Sequence, residues 1–336
     1  MRLLIFTQTI NTEDPVLSFF HRWVEELAAR FDSIIVICLK EGKHDLPKNV
    51  QVYSLGKETG QSRLKYVINF YRYAWSLRNS YDKVFVHMNE EYVILGGWLW
   101  WLLRKPVMMW RNHHAGTYKT DIAMFFCTKI FCTSHVSYTA RSKKTMIMPV
   151  GVDTKRFSFD PHIARIPDSI LFLSGIWETK RPEMLIDALE IVHKKGVKFI
   201  AHFYGSPLPT RGAYYQSVQE RSVSAGLSDV VSFHAGVPNE VARDLFRSHE
   251  IFVNCSLSGM FDKAMFEAAA CGCRVLAVSD DFAMLANDPS THFTTVEELA
   301  DRLVKALGKA PLQAVPAYVE ANSLSVLADL LQKVID

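Results

Sequence analysis

Short apolar runs recur along the first half of the chain at 2–7, 34–39, 50–55, 83–88, 106–110, 129–133 and 145–149. Between them lie stretches such as 15–31 and 62–79, whose apolar positions repeat every three to four residues. Continuous apolar runs predict strands buried on both faces, and the helical period predicts the helices that cover them. After "PVGVDTKRFSFDPHIARIPDS", which is rich in turn formers and lacks a helical period, the rhythm restarts at 170–176 with "ILFLSGI". It continues through "KFIAHFYG", "VVSFHAG", "EIFVN" and "RVLAV" and ends in a helical pattern over 318–335. The pattern predicts an α/β protein of two doubly wound, Rossmann-like domains, 1–160 and 161–336, facing a central cleft, with the C-terminal helix closing the second. In such sheets ligands bind at the carboxyl ends of the strands.

The most apolar stretch, "YVILGGWLWWLL" at 92–103, is twelve residues long and is followed by Arg104 and Lys105. It is too short to span a bilayer. Flanking strands would bury it as a core helix, while its tryptophans and basic neighbours also fit a helix resting on a membrane. With 336 residues and 49% hydrophobic composition the chain can bury a large core. The start, "MRLLIFT", has none of the regions of a signal peptide, so the expected compartment is the cytoplasm. Six cysteines in apolar surroundings, without paired C-x-x-C knuckles, are expected to be reduced core residues.

Charge is uneven. Residues 1–150 hold 20 Lys/Arg against 12 Asp/Glu, a net +8, and the remainder holds 18 against 23, a net −5. A basic first half suits an anionic substrate or membrane surface; the cations are scattered and no nucleic-acid motif occurs, so nucleic acid is not an expected partner. Solvated helix faces account for the same charge.

Candidate chemistry gathers in "SLSGMFDKAMFEAAACGCRVLAV" at 256–278. Glu267 stands among apolar and small neighbours, where a carboxylate without a receiver is costly. Ser256, Ser258 and Gly259 suit a loop leading into a helix start, whose free N–H groups favour phosphate. Gly272 fits the helix C-cap and Arg274–Val278 a buried strand. In "SGIWETKRPEMLIDALE" a small turn after a strand carries Lys180 and Arg181, two cations that suit a diphosphate. They would otherwise be solvent-exposed charges in a helix's first turn, an unfavourable place for cations without an anion. Neither G-x-G-x-x-G nor G-x-x-x-x-G-K-[ST] occurs. In the first half "MMWRNHHAGTYKTDIA" puts Arg111, Asn112, His113 and His114 after a strand, and "TQTINTEDPVLSFFHRW" does the same for Thr9, Asn11 and Asp14. Backbone satisfaction accounts for a strand-end histidine, and an Asx turn for Asp14-Pro15, as readily as a ligand does.

Taken in order, "PVGVDTKRF", "SGIWETKRPEMLIDAL", "YGSP", "VSFHAGVPNEVARDLF" and "IFVNCSLSGMFDKAMFEAAACGCRVLA" resemble the retaining glycosyltransferases of family 4, with the two-domain GT-B fold. The resemblance covers about half of the chain. It implies that the second domain binds a UDP- or GDP-linked sugar, the diphosphate on Lys180 and the ribose on Glu267. Arg181 joins Lys180 on charge alone. Gly175, Ser258, Gly259, Met260, Phe261, Asp262 and Lys263 would frame the donor. Asp262 and Lys263 match a branch with S-G-x-x-D-K before the helix, where they would contact sugar and phosphate; a helix cap and a surface lysine serve equally.

Two positions depart from the family. Gly259 stands eight positions before Glu267, where a sugar-binding glutamate is usual, and Ile176 replaces the arginine that commonly follows Gly175. The resemblance further implies a first-domain histidine against the donor sugar, His113 ahead of His114, so that the catalytic set is His113, His114, Lys180 and Arg181. Thr9, Asn11, Asp14, Arg111 and Asn112 would form the acceptor side. The implied enzyme is a retaining hexosyl- or N-acetylhexosaminyltransferase of polysaccharide biosynthesis. It would need no metal and no cofactor beyond its donor, and would act on a glycan, lipid-linked or small-molecule acceptor from the cytoplasm or the inner face of the membrane. The departures leave open a nucleotide-sugar-binding protein or partner subunit without catalysis.

Overall fold

The structure, a computed structural model, describes residues 1–14, 17–258, 262–309, 312 and 314–335. The chain divides into two compact units, Met1–Gly151 with Ser323–Asp336, and Val152–Asn322. The boundary thus lies a little before the expected 160, and the closing helix belongs to the first unit rather than the second. Apolar burial is the reason: Leu324, Leu327, Leu331 and Ile335 share a core with Trp23, Val24 and Leu27. The single helix expected over 318–335 is two, Ala317–Ala321 and Leu324–Ile335, and the Ser323 hydroxyl caps the second by accepting from Val326 N–H at 3.3 Å.

The first unit runs β1 (Arg2–Ile10), α1 (Phe19–Ala28), β2 (Ser33–Glu41), β3 (Val50–Ser54), α2 (Arg63–Ser76), β4 (Lys83–His87), α3 (Glu90–Leu102), β5 (Val107–Trp110), α4 (Tyr118–Phe126), β6 (Lys129–Cys132) and β7 (Thr145–Ile147). Its seven strands form one parallel sheet in the order β3-β2-β1-β4-β5-β6-β7. Along β1, Leu3 and Ile5 enter the core beneath α1, while Leu4 and Phe6 enter the opposite core with Phe70, Tyr92 and Trp100 of α2 and α3. Burial on both faces is why these strands read as unbroken apolar runs.

The second unit runs β8 (Ser169–Leu173), α5 (Pro182–Lys194), β9 (Ile200–Tyr204), α6 (Gly212–Ser224), β10 (Val231–His234), α7 (Asn239–Ser248), β11 (Ile251–Asn254), α8 (Ala264–Ala270) and β12 (Arg274–Ala277). Three helices, α9 (Asp280–Ala286), α10 (Val296–Ala306) and α11 (Ala317–Ala321), complete it, and α12 (Leu324–Ile335) returns to the first unit. Its sheet is also parallel, in the order β10-β9-β8-β11-β12. In each sheet the chain winds outward from a first strand and then restarts on that strand's other side. The loops leaving the two diverging strands open a crevice, which falls between β1 and β4 in the first unit and between β8 and β11 in the second.

All six cysteines are buried with free thiols. The 92–103 stretch falls largely in α3: Trp100 is fully buried, as a core helix requires, whereas Trp98 and Trp101 are 50% and 77% exposed. Among the described residues no helix is long and apolar enough to cross a membrane.

Candidate functional site

At the crevice of the second unit, the segment after β8 lies flat against the end of β9. Ser174 N–H donates to the Tyr204 carbonyl at 3.1 Å and Ile176 N–H to the Ser206 carbonyl at 3.2 Å. A Cβ at Gly205 would stand 1.9 Å from the Ser174 carbonyl oxygen, and one at Gly175 would stand 1.6 Å from the Trp177 ring, so both positions exclude a side chain as the loop now runs. A short turn over Glu178–Lys180 follows, and Arg181 then adopts φ 51° and ψ 47°, the left-handed region, before Pro182 opens α5. Proline bars ordinary helical geometry from the residue before it. The left-handed conformation costs an arginine roughly 1–2 kcal/mol, the kind of local strain that collects at ligand sites.

This turn delivers Lys180 to the opposite side of the crevice. Its Nζ lies 2.9 Å from Asp262 Oδ2, and both side chains are largely buried. Asn254, at the end of β11, donates from Nδ2 to the same carboxylate oxygen at 3.0 Å, and Ala264 N–H donates to Oδ1 at 3.3 Å. Burial alone would raise the Asp262 pKa; the charge and hydrogen bond of Lys180, with Asn254 and the Ala264 amide, outweigh it and hold the carboxyl below its ordinary value. Asp262 therefore holds the first amide of α8 and clasps the two diverging loops together.

α8 is seven residues long, and its Ala264 amide is already taken by Asp262. The positive charge near any bound phosphate thus comes chiefly from side chains: Lys180, Arg181 and Lys263. Glu267 has its receiver in Lys263, one helical turn before it. Burial raises the Glu267 pKa, Lys263 opposes the rise, and Asp262, Arg156 and Asp153 also contribute. Burial likewise lowers the Lys263 pKa, against Glu267 and Asp153. Burial outweighs the mutual attraction in both groups, so the Glu267 carboxyl is raised and the Lys263 ammonium lowered from their ordinary values, and added hydrogen bonds to the carboxylate are worth more there than in water. Ser258 is tied to the start of α9, accepting from Asp280 N–H at 2.8 Å and donating to its carboxylate at 3.3 Å. Gly259, Met260 and Phe261 lie outside the described residues.

In the first unit the crevice between β1 and β4 is polar. A tight turn centred on Met88, with φ 69° and closed by Asn89 N–H to the His87 carbonyl at 2.9 Å, follows β4. Asn89 Nδ2 donates to Gln8 Oε1 at 2.6 Å, and Arg111 Nε lies 2.8 Å from Glu90 Oε2, with both of those side chains mostly buried. Arg111 also donates to the Ala115 carbonyl at 3.0 Å, and Asn112 Oδ1 accepts from Thr133 N–H at 3.3 Å. His113 and His114 are exposed and stacked, with ring centroids 4.6 Å apart, and His113 Nδ1 accepts from Ala115 N–H at 3.0 Å. The same Nδ1 lies 3.2 Å from the Ala115 carbonyl oxygen.

The remaining acceptor-side candidates divide. Asn11 Oδ1 accepts from Glu13 and Lys43 N–H groups, each at 3.1 Å, and Asp14 Oδ1 accepts from Leu17 N–H at 2.8 Å, so both hold the loop after β1 in shape. Thr9 is 3% exposed, and its hydroxyl has no hydrogen-bond partner among the described residues. Sequence reasoning missed Asn254, Gln8, Asn89 and Glu90. A polar residue closing an apolar strand run, as in "EIFVN", was the available signal for Asn254; nothing local links Glu90 to Arg111.

Residues 167–326 match the family "Glycosyl transferases group 1". Two D-inositol 3-phosphate glycosyltransferases, from Geodermatophilus obscurus and Paenarthrobacter aurescens, are 24% and 31% identical to the chain over 154 residues, or 42% of it. Those alignments span 34% and 36% of the two relatives, about a third of their length. HepE of Anabaena, solved with UDP-glucose, superposes with a TM-score of 0.71 at 16% identity, covering 100% of this chain and 98% of that one. At that identity the likeness speaks for the fold.

Two parallel sheets in this topology, with that whole-length structural likeness, give the chain the two-domain GT-B fold. The stretch that matches the group 1 family, residues 167–326, lies almost wholly in the second unit.

Proposed function

We propose that the chain is a retaining glycosyltransferase that moves a hexosyl or N-acetylhexosaminyl group from a nucleoside-diphosphate sugar to a hydroxyl acceptor. The observation that carries this reading is the crevice of the second unit, where Lys180, Arg181, Lys263 and Glu267 gather at the carboxyl ends of β8 and β11. It is supported by relatives named as glycosyltransferases and by a neighbour of the same fold that holds UDP-glucose.

In this reading Lys180 and Arg181 take the diphosphate, and Glu267 takes the ribose hydroxyls, with Lys263 favouring the charged carboxylate against its burial. As the bond from the sugar C1 to the phosphate oxygen breaks, the cations stabilise the charge growing on the leaving diphosphate. The new bond from C1 to the acceptor oxygen forms on the same face, and the acceptor proton passes to the departing phosphate oxygen. His113, with His114 beside it, is the first-unit group that the family resemblance assigns to a donor-sugar hydroxyl. Arg111, Asn112 and Thr9 supply the acceptor side. No divalent ion is required, and a glycan, lipid-linked or small-molecule acceptor would be met in the cytoplasm or at the inner membrane face.

The test is a panel of UDP and GDP sugars in calorimetry, followed by incubation with acceptors and determination of the product anomer by NMR. Retention at C1 with release of the nucleoside diphosphate supports the reading. Inverted product, or no nucleotide binding at all, overturns it.

A further inference from the structure

One face of the first unit is unlike the rest of its surface. Helices α2, α3 and α4 cover the same side of the sheet, with Phe70, Trp100 and Ala123 beneath them in one core. They are locked side by side: Tyr71 donates through its hydroxyl to the Leu95 carbonyl at 2.8 Å, and a Cβ on Gly97 would meet the Phe126 side chain at 2.5 Å. Each helix turns an apolar stripe outward. On α2 it is Leu64, Ile68 and Trp75; on α3 it is Trp98, Trp101 and Leu102. Tyr118, Ile122 and Phe125 form the third, on α4. These stripes hold nine of the twelve exposed large apolar side chains of the first unit's described residues, so the exposure is concentrated rather than scattered.

Cations flank the stripes. Residues 61–80 carry Arg63, Lys65, Arg72 and Arg78 and no acid, and residues 92–105 carry Arg104 and Lys105 and no acid. Of the nearby acids, Glu90 is engaged by Arg111 and Asp121 by Arg141, and Glu91 stands exposed in the first turn of α3. Arg78 lies 4.4 Å over the Trp75 ring, an aromatic and a cation presented together.

From this we infer that the α2–α3–α4 face docks on an anionic lipid surface, the aromatic and aliphatic side chains entering the headgroup boundary while arginine and lysine meet the lipid phosphates. Charge complementarity selects this occupant. A second copy on the same face would set like charges against one another across a closed interface, whereas an anionic bilayer accepts all of them. The inference extends the proposed reaction without depending on it, since the donor residues belong to the other unit.

Full-length protein is mixed with vesicles of neutral phosphatidylcholine, or of phosphatidylcholine with phosphatidylglycerol, at low and raised salt, and partition is read by flotation with tryptophan fluorescence. Binding to the anionic vesicles, weakened by salt and accompanied by a blue shift, is expected. Trp101→Ser with Phe125→Ser should lower the partition coefficient by about tenfold or more. Arg63→Gln with Lys65→Gln, a pair on a fully solvated helix turn, should weaken anionic binding several-fold and flatten its salt dependence. UDP-induced thermal shift is measured on every variant, so loss of fold, or failure of the donor reading, is seen separately from loss of lipid binding. Three results overturn the inference: no anionic preference at low salt, partition unchanged in both double variants of intact fold, or a dimer dissolved by Trp101→Ser with Phe125→Ser in protein that ignores vesicles.

Discussion

Replacing Lys180 with methionine removes one charge and keeps most of the aliphatic stem. At 2.9 Å from Asp262 Oδ2, and at the effective dielectric of a part-buried pair, the gross attraction is roughly 6 kcal/mol. Desolvation of both groups takes back most of it. Asp262 also keeps its hydrogen bonds from Asn254 and the Ala264 amide, so the expected net loss of stability is about 2 kcal/mol. For a unit of this size that corresponds to a fall in Tm of about 4–8 °C. The ligand side is separate: losing one charge-assisted bond to phosphate costs about 1.5–3 kcal/mol, or roughly 10- to 150-fold in nucleoside diphosphate affinity. Asp262→Asn should act in the opposite direction on binding. It releases Lys180 from its partner and removes a negative charge from the phosphate site, so UDP binds more tightly although the fold is weaker. Calorimetry with UDP and GDP, beside thermal melts of both variants and their double, gives each quantity. If Lys180→Met lowers Tm yet leaves nucleotide affinity as in the parent, Lys180 is a structural clasp and the reasoning fails.

Glu267→Ala should weaken UDP binding by about tenfold while leaving pyrophosphate binding within about twofold, because only the ribose contact is lost; equal losses for both ligands would move Glu267 from ribose to phosphate. His249 is 1% exposed, its Nδ1–H donates to the Leu245 carbonyl at 2.7 Å, and its Nε2 lies 2.7 Å from His202 Nδ1. Burial pushes its pKa down to about 4, below the ordinary histidine value, so the unfolded chain binds the extra proton first. Stability is therefore full above about pH 6.5 and is lost as pH falls toward 4, by about 3 kcal/mol in all; melts across that window in the parent and His249→Gln should show the slope flattening in the variant, and parallel curves would refute it. Thr9→Val replaces an unpartnered buried hydroxyl with a methyl group, so stability should hold or rise by up to about 1 kcal/mol while acceptor turnover falls; unchanged turnover would remove Thr9 from the acceptor side. Chelation with EDTA should leave transfer undiminished, and loss of activity restored by a divalent ion would show that a metal shares the diphosphate charge.

Strand positions were easily read because a parallel sheet covered on both faces asks for little more than apolar runs of the right length. "VFVH" and "ILFL" satisfy that directly, and both are strands. The owner of the last helix was not readable, since Leu327 and Leu331 are apolar on either unit and only three-dimensional packing places them against Trp23. The same limit applied to α3. Its tryptophans are three residues or fewer apart, and a helix turns enough over that spacing to bury Trp100 while exposing Trp98 and Trp101. In the site, Lys180 and Glu267 stood out as charges in unsuitable local company. The clasp of Lys180 on Asp262 did not, because it joins positions 82 residues apart.

The family match lies almost wholly in the second unit, whereas the fold likeness extends over the entire chain, and the two ligands proposed for the units explain the difference. A diphosphate makes strict demands: cations at fixed places, glycines where backbone must pass closely, and a carboxylate for the ribose. Those demands leave short motifs such as "SGIWETKR" and "DKAMFE" in the sequence. An acceptor hydroxyl asks for far less, a donor or acceptor of hydrogen bonds at the right spot, which many side chains can provide from many positions. The first unit accordingly keeps its sheet through apolar pattern alone and assembles its polar crevice from Gln8, Asn89, Glu90 and Arg111, contributed by separate elements. Acceptor choice should therefore be altered by substitutions around the Glu90–Arg111 pair with donor affinity intact, while changes at Lys180 or Glu267 weaken the donor whatever the acceptor.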